Sequence, residues 1–554
     1  MTRRRAVDGP VIGIRRVKSD IDDPVVRQDG RMDRRDTAGV GAIATIPALL
    51  TDRAERFGEV FAISGPEGRL TYTELAERAA RVTRAAMSSG IEPGDRVGIW
   101  APNSARWVVT ALGLLGAGAT VVPISTRLTG VEAADMLARS HTRALFTVRG
   151  FLGYDYPRML AETGRELPDL ARTIVASDAD SWSSFLESAS ATTVEEARAR
   201  AAAVDPDDIS DILFTSGTTG APKGVLATHR QTLAVFSGWA DAVTLRQGDR
   251  YLLVNPFSHT FGYKAGIIAS LLRAATMVPV PRFETDLVLD LIEQERITMI
   301  AGAPTLFTDL LHRDRTRHDL SSLRLAGTGG ATVPTELVER IRTDLGVPQV
   351  FTAYGLTESI GVVSVCPPDA PADLVATTAG KALPGTEIRL VDRTGNPVPL
   401  GDPGEITVRG ANVMRGYLDD PEATAATIDT DGWLHTGDIG TLDAAGYLRI
   451  TGRLKEMFIV GGFNAYPAEI EQTLLRHPGI QDVAVVGIPD SRLGEVGRAV
   501  VVPTDPAAAD AAAILDWARS RLAGYKVPRE VVFTNALPRN PGGKVLKSQL
   551  RDPR

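Results

Sequence analysis

The chain has 554 residues, 44% hydrophobic and 23% charged, the composition of an ordinary soluble globular protein that is too long for one compact core. Its 61 basic and 68 acidic side chains leave a net charge of −7, which argues against a nucleic-acid partner. A single cysteine, Cys366, excludes an internal disulfide framework and fits a reducing, cytoplasmic compartment.

In chain order, residues 1–40 are polar and highly charged; no long apolar core follows the basic start, so a secretory signal is not expected and the stretch is read as a disordered tail. Met32 is an alternative translation start. The most apolar run, 108–122, is broken by glycines and stops at Pro123, so it reads as buried rather than as a transmembrane segment. Residues 195–204, rich in Ala, Arg and Glu, predict a surface helix ended by Asp205-Pro206. Asp211-Ile212-Leu213-Phe214 predicts a buried strand leading into TSGTTGAPKG at 215–224, with a helix expected over 229–243. Glycines let backbone N–H groups crowd around an anion, Ser216, Thr218 and Thr219 add hydroxyl donors, and Lys223 adds a mobile positive charge. Such a loop suits a polyphosphate. It is not a Walker A motif, because Gly224 rather than Ser or Thr follows Lys223.

Strand-like runs then begin near Tyr251, Thr276, Thr298, Leu323 and Gln349, with helices predicted between them, for example over 286–297 and 334–345. Spacings of roughly 22–26 residues are those of βαβ units and predict an α/β fold of largely parallel, doubly covered sheets. Asp443-Ala444-Ala445-Gly446 reads as a turn between short strands. Beyond it the pattern changes, with a helix at 467–477, strands at 482–488 and 498–503, and a helix from about 508 to 523. The expected organisation is a tail over 1–40, a large domain over 41–453, and a small α+β lid domain over 454–554.

Five further motifs follow the glycine-rich loop in order: YGLTE at 354–358, GEI at 404–406, WLHTGD at 433–438, GRLKEMFIVGGFNAYPAEIE at 452–471 and PRNPGGKVLK at 538–547. Together the six resemble the adenylate-forming superfamily of acyl-CoA synthetases, peptide-synthetase adenylation domains and luciferases. The resemblance implies that Thr215, Ser216, Gly217, Thr218, Thr219, Gly220 and Lys223 cradle the phosphates of ATP. It implies that Gly329, Gly330 and Ala331 meet the adenine edge, where a side chain would clash, and that Tyr354 and Gly355 lie against adenine. Thr357 would touch the α-phosphate and Glu358 would bind Mg2+. Asp438 would accept both ribose hydroxyls, with Arg453 at the ribose or phosphate, whereas Trp433 and His435 read as structural. Lys455 matches the hinge about which the lid rotates between half-reactions. Lys544 would stabilise charge during adenylation, and Gly461, Gly462 and Phe463 would line the CoA tunnel afterwards. Acetylation of Lys544 would remove its charge and stop the first step.

Residues 255–264 match the region walling the acyl tunnel, with His259, Phe261 and Lys264 as pocket candidates. His259 reads equally as a gate residue or as a neutral histidine satisfied by the backbone, and Lys264 also as the start of the following helix. NPFSHTFGYKAGI at 255–267 and the motifs around it are similar to those of actinobacterial ligases acting on the ring propionate of sterol breakdown. The implied activity is an AMP-forming acid–CoA ligase using ATP, Mg2+ and CoA. Alternatives are a medium- or long-chain fatty acid–CoA ligase, or a standalone adenylating enzyme that loads a carrier protein. The sequence leaves the oligomeric state open, a homo-oligomer included.

Overall fold

Short apolar strands joined by amphipathic helices can return to the same sheet edge only in parallel, and the middle of the chain does so. The computed structural model describes residues 43–215, 222–329, 333–460, 463–539 and 545–551; the 1–40 tail and Met32 lie outside them. In one nine-stranded sheet, six neighbouring strands run parallel in the order Gln349–Tyr354, Leu325–Thr328, Met299–Gly302, Arg250–Leu253, Thr276–Pro279 and Phe61–Ile63. The predicted starts of the first five fall within two residues of these, Phe61–Ile63 was not foreseen, and the intervening helices appear as Thr285–Gln294 and Thr335–Thr343. Leu252, Ile292, Ile300, Phe307, Ala326 and Val350 are buried between strands and helices.

A second, seven-stranded sheet carries the parallel strands Ile209–Phe214, Thr120–Pro123, Arg96–Trp100, Ala144–Thr147 and Arg172–Val175. The apolar run at 108–122 divides into the helix Ala105–Gly116 and the strand Thr120–Pro123. Gly113 is required there, since a Cβ at that position would lie 2.5 Å from Val82 Cβ. Gly224–Thr228, a strand not foreseen from sequence, folds back antiparallel on Ile209–Phe214 before the helix His229–Ala242. Gly416–Tyr417 then adds antiparallel to it.

Two more sheets follow. Thr386–Val391, Gly404–Gly410, Leu434–Leu442 and Leu448–Arg453 make an antiparallel sheet, an addition to the expected parallel pattern that follows from its tight turns. At one of these, Asp443 Oδ1 accepts backbone N–H bonds from Ala445 and Tyr447, each 2.9 Å, an Asx turn that reverses the chain. The C-terminal region is α+β, with Ile480–Asp490 and Gly494–Pro503 paired through ten positions and covered by the helices Pro467–Leu474 and Ala511–Arg519. Its core joins Phe458, Ile470, Leu474, Val485 and Ile514. No helix among the described residues is long and apolar enough to cross a membrane.

Candidate functional site

The candidate site gathers at the C-terminal ends of parallel strands, where open α/β sheets present their loops. Phe214, Leu253, Thr328 and Tyr354 each end a strand, and a site motif follows each of them. At the first, the backbone N–H of Thr215 donates to Lys223 O at 2.9 Å, which closes the glycine-rich loop on the hairpin beneath it. Ser216, Gly217, Thr218, Thr219 and Gly220 lie outside the described residues, as do Gly330, Ala331, Gly461, Gly462 and Lys544. Exposed Lys223 sits with Nζ 4.7 Å from the ring centroid of Tyr417.

Tyr417 itself reaches further. Its hydroxyl donates to Glu358 Oε1 at 2.9 Å, and the burial of Tyr417 beside that carboxylate pushes its own pKa up. The backbone of Glu358 is held by the same segment, its carbonyl accepting from Met414 N at 2.9 Å. Glu358 Oε2 accepts no hydrogen bond among the described residues, which leaves it able to bind a cation. A single carboxylate oxygen is a donor that suits Mg2+, which takes one or two carboxylates and completes its shell with phosphate oxygens and water. Thr357 and Glu358 open the short 3₁₀ turn Thr357–Ser359. Gly355 is required at its entry: a Cβ there would lie 2.3 Å from Gly361 O.

The ribose candidates are assembled around Asp438, which is buried. Tyr354 Oη donates to Asp438 Oδ2 at 2.7 Å, and Arg453 Nε lies 2.9 Å from Oδ1. Cross-strand pairing of Asp438 with Arg453 sets this contact. Burial, and then the neighbouring Asp438 charge, raise the Tyr354 pKa, so the phenol stays a donor. An ionised, oriented carboxylate can accept both hydroxyls of a vicinal diol. GEI also acquires a reason: Glu405 accepts from Gly437 N at 3.1 Å and contacts His435 Nδ1 at 3.0 Å, bracing the turn that presents Asp438. Trp433 is sandwiched by Arg389 and Arg409 at 4.1 and 4.5 Å, a structural position.

Gly329 lies at the end of its strand, where a Cβ would meet only Ala353 O, at 3.5 Å. Two residues earlier, Gly327 is required by the protein's own packing, since a Cβ there would lie 2.4 Å from Phe351 Cζ.

Beside the YGLTE turn lies the 255–264 segment, close enough that a Cβ on Gly361 would come 2.9 Å from Thr260 Cβ. His259 keeps an exposed edge yet is surrounded by protein, and this desolvation lowers its imidazole pKa. Its Nδ1 accepts from Phe261 N at 3.2 Å, so the neutral ring carries its proton on Nε2. Phe261 is half-buried and meets Trp239 edge-on at 6.3 Å. Lys264 lies on the π-helical turn Tyr263–Ile268 with its side chain 1% exposed, 2.9 Å from Asp211 Oδ1 on the strand that feeds the glycine-rich loop. It is therefore placed in a buried ion pair behind the segment rather than on an open surface.

Lys455 is exposed in the turn after Arg453. Next to it, Glu456 Oε2 meets Lys547 Nζ at 3.0 Å, and Glu471 Oε1 meets the same nitrogen at 2.8 Å. Burial alone would lower the Lys547 pKa, but the two carboxylates raise it on balance. Phe463 begins the strand Phe463–Ala465, paired with Phe458–Val460. Sequence reasoning missed Tyr417, Glu405 and Lys547; only their positions inside or beside the motifs hinted at them.

Known proteins give the same assignment. The AMP-binding enzyme family model matches residues 50–418, and the model of the AMP-binding enzyme C-terminal domain matches residues 469–544. The chain is 48% identical, over 92% of its length and 98% of the relative's, to the 3-(7a-methyl-1,5-dioxo-octahydro-1H-inden-4-yl)propanoyl:CoA ligase of Rhodococcus jostii. It is also 48% identical to the ligase of the same name from Mycobacterium tuberculosis, over 93% of this chain and 99% of that one. Among solved structures, ATP-bound MatB from Rhodopseudomonas palustris superposes with a TM-score of 0.82 at 31% identity, covering 92% of this chain and 98% of that chain. The chain belongs to the AMP-binding enzyme family and is an AMP-forming acid–CoA ligase, with ATP and CoA as its co-substrates.

Proposed function

We propose that this ligase activates a sterol-derived ring propionate, the dioxo-methyl-octahydroindenyl propionate named for its two relatives, in the cytoplasm. The observation that carries this reading is 48% identity to both of those ligases over nearly the whole of each chain. The aromatic packing around the 255–264 segment supports it. Trp107 packs on Phe257 and Tyr263 at 5.1 and 5.6 Å, and Trp239 on Phe351 and Phe261 at 5.9 and 6.3 Å, a buried aromatic backing that holds the segment rigid behind half-buried Phe261. His259 stands at the rim as gate, with Nε2–H free to donate to a carboxylate or ketone oxygen, and Phe261 lines the acyl site.

In the first half-reaction the acid carboxylate attacks the α-phosphate and pyrophosphate leaves. The glycine-rich loop residues Thr215 to Gly220, with Lys223, hold the phosphates, while Thr357 contacts the α-phosphate. Gly329, Gly330, Ala331, Tyr354 and Gly355 frame adenine, and Asp438 with Arg453 orients the ribose. Glu358 would hold Mg2+, which would supply charge neutralisation between the two anions. Lys544 stabilises the developing charge. A lid over 454–554 then turns about Lys455, withdraws Lys544 and brings Gly461, Gly462 and Phe463 to the CoA tunnel. The thiol attacks the acyl carbon and AMP leaves, with the acyl-adenylate kept from water throughout.

The test is AMP release with ATP, Mg2+ and a panel of fatty, aryl and ring-propionate acids, with and without CoA. CoA-dependent AMP release strongest with the ring propionate is the expected result. Preference for a medium- or long-chain fatty acid removes the substrate reading, and indifference to CoA moves the acceptor to a carrier protein.

A further inference from the structure

One short strand touches both anion-handling elements of the site. Residues 414–418 pair with the hairpin arm that carries Lys223: Gly416 lies opposite Leu226 and Tyr417 opposite Val225, and Leu418 N donates to Gly224 O at 2.8 Å. The same few residues hold Glu358 at two points, through Met414 N to its carbonyl and Tyr417 Oη to its Oε1. The Tyr417 ring lies under Lys223 Nζ while its hydroxyl reaches Glu358. One side chain thus spans the loop lysine and the metal-candidate carboxylate, and with 9% of its surface exposed it has little freedom to leave either.

Rotation about the last bonds of a glutamate would let its two oxygens exchange. A phenol donating to Oε1 removes that freedom and turns Oε2 toward the remaining open direction. The ring face makes a separate contribution: a cation above an aromatic face is held by its quadrupole, which fixes where Lys223 stands before a phosphate arrives.

We propose that Tyr417 is a positioning residue that sets Glu358 for Mg2+ with its hydroxyl and Lys223 for the phosphates with its ring. The proposal rests on the nucleotide site described under the proposed function. The two contacts act on different parts of the ligand, so they separate experimentally. Tyr417→Phe keeps the ring, the packing and the contact with Lys223, and deletes only the bond to Glu358. Tyr417→Leu deletes both.

The experiment is calorimetric titration of the full chain with ATP, once with Mg2+ and once with excess chelator. Tyr417→Phe is expected to weaken Mg·ATP binding about tenfold or more, the loss of one hydrogen bond to a charged group, and to leave metal-free ATP binding within twofold of wild type. Tyr417→Leu is expected to weaken metal-free ATP as well, about threefold or more, through Lys223. Equal weakening of both forms in Tyr417→Phe would show a merely structural role and overturn the proposal, and so would unchanged Mg·ATP binding. If the wild-type chain itself binds no ATP, the nucleotide-site reading fails first, an outcome distinct from either.

Discussion

Lys264 and Asp211 provide a quantitative test of how this fold is held together. Both side chains are 1% exposed, Nζ and Oδ1 are 2.9 Å apart, and the other carboxylate oxygen accepts from Ser210 Oγ at 2.7 Å. Burial depresses the Lys264 pKa and the Asp211 charge opposes that shift. Lys264→Met leaves a carboxylate buried with a single hydroxyl donor, which costs about 3–5 kcal/mol. For a cooperative unit of roughly 400 residues, at ~2.1 cal/mol/K per residue, the unfolding entropy is about 0.8 kcal/mol/K, so the midpoint should fall by about 4–6 °C. Asp211→Asn should cost less, because the stranded ammonium can lose its proton. In that variant the native state binds fewer protons than the unfolded chain between the lowered Lys264 pKa and 10.5, so stability must rise with pH across that window. The double variant Asp211→Leu/Lys264→Met removes both charges and should recover most of the loss. Differential scanning calorimetry of the four proteins reads all of this. A Lys264→Met midpoint within about 1 °C of wild type, or a double variant no better than the worse single, would refute the reasoning.

Three other expectations follow from the site and the core. Lys544→Ala should reduce adenylation at least about a hundredfold yet spare thioester formation from supplied acyl-adenylate; equal loss of both steps would count against its assigned role. Asp438→Ala, which strands the buried Tyr354 hydroxyl and removes the ribose acceptor, should raise KM for ATP by about ten- to hundredfold, as steady-state kinetics would show; an unchanged KM would sink the assignment. His229, 1% exposed and accepting from Ile46 N at 3.3 Å, has its pKa pushed down to about 4 by burial. The native state therefore binds fewer protons than the unfolded chain between about 4 and 6.5, so stability should fall as pH drops from 6.5, by about 3 kcal/mol when pH 4 is reached. Urea melts of wild type and His229→Gln across that range should differ by this slope, and parallel curves would contradict it.

The parallel strands were legible because each is a short apolar run with turn residues at its ends, and burial on both faces permits little else. The strand entering the glycine-rich loop was legible for the same reason, Asp211-Ile212-Leu213-Phe214 falling within Ile209–Phe214. What escaped prediction depends on contacts between distant segments. Tyr417 reads as one more apolar strand residue until the 414–418 segment is laid against 224–226. Lys264 reads as a pocket residue or a helix start until Asp211 is found beside it. Helix ends failed for a local reason. The C-terminal helix expected from about 508 begins as Ala511–Arg519, because Asp510 caps it, Oδ1 accepting from Ala512 N at 2.8 Å and Ala513 N at 3.2 Å. Before it, Pro506–Ala508 forms a separate 3₁₀ turn.

The turn at 354–361 shows how the two carboxylates come to serve one ligand. Its first residue, Tyr354, holds Asp438 in the antiparallel sheet, and Glu358, four residues on, is held by Tyr417 at the edge of the seven-stranded sheet. The turn therefore bridges the ribose end and the phosphate end of the proposed nucleotide path. Its shape is not one the chain would choose locally: Ile360, β-branched and fully buried, sits at φ +55°, and Gly361 follows at φ +109°. A left-handed conformation at such a residue costs about 1–3 kcal/mol and persists only where the surroundings over-determine it. Here the surroundings do so through Leu356 O, which accepts from Gly361 N at 2.9 Å, and through Thr260 of the 255–264 segment, so near that a Cβ on Gly361 would lie 2.9 Å from its Cβ. The strained turn is thereby tied to the 255–264 segment, to Asp438 and to the 414–418 segment at once. A shift at any one of the three would pass through the turn to Thr357, the residue proposed to contact the α-phosphate, which is the geometry an adenylating site has to control.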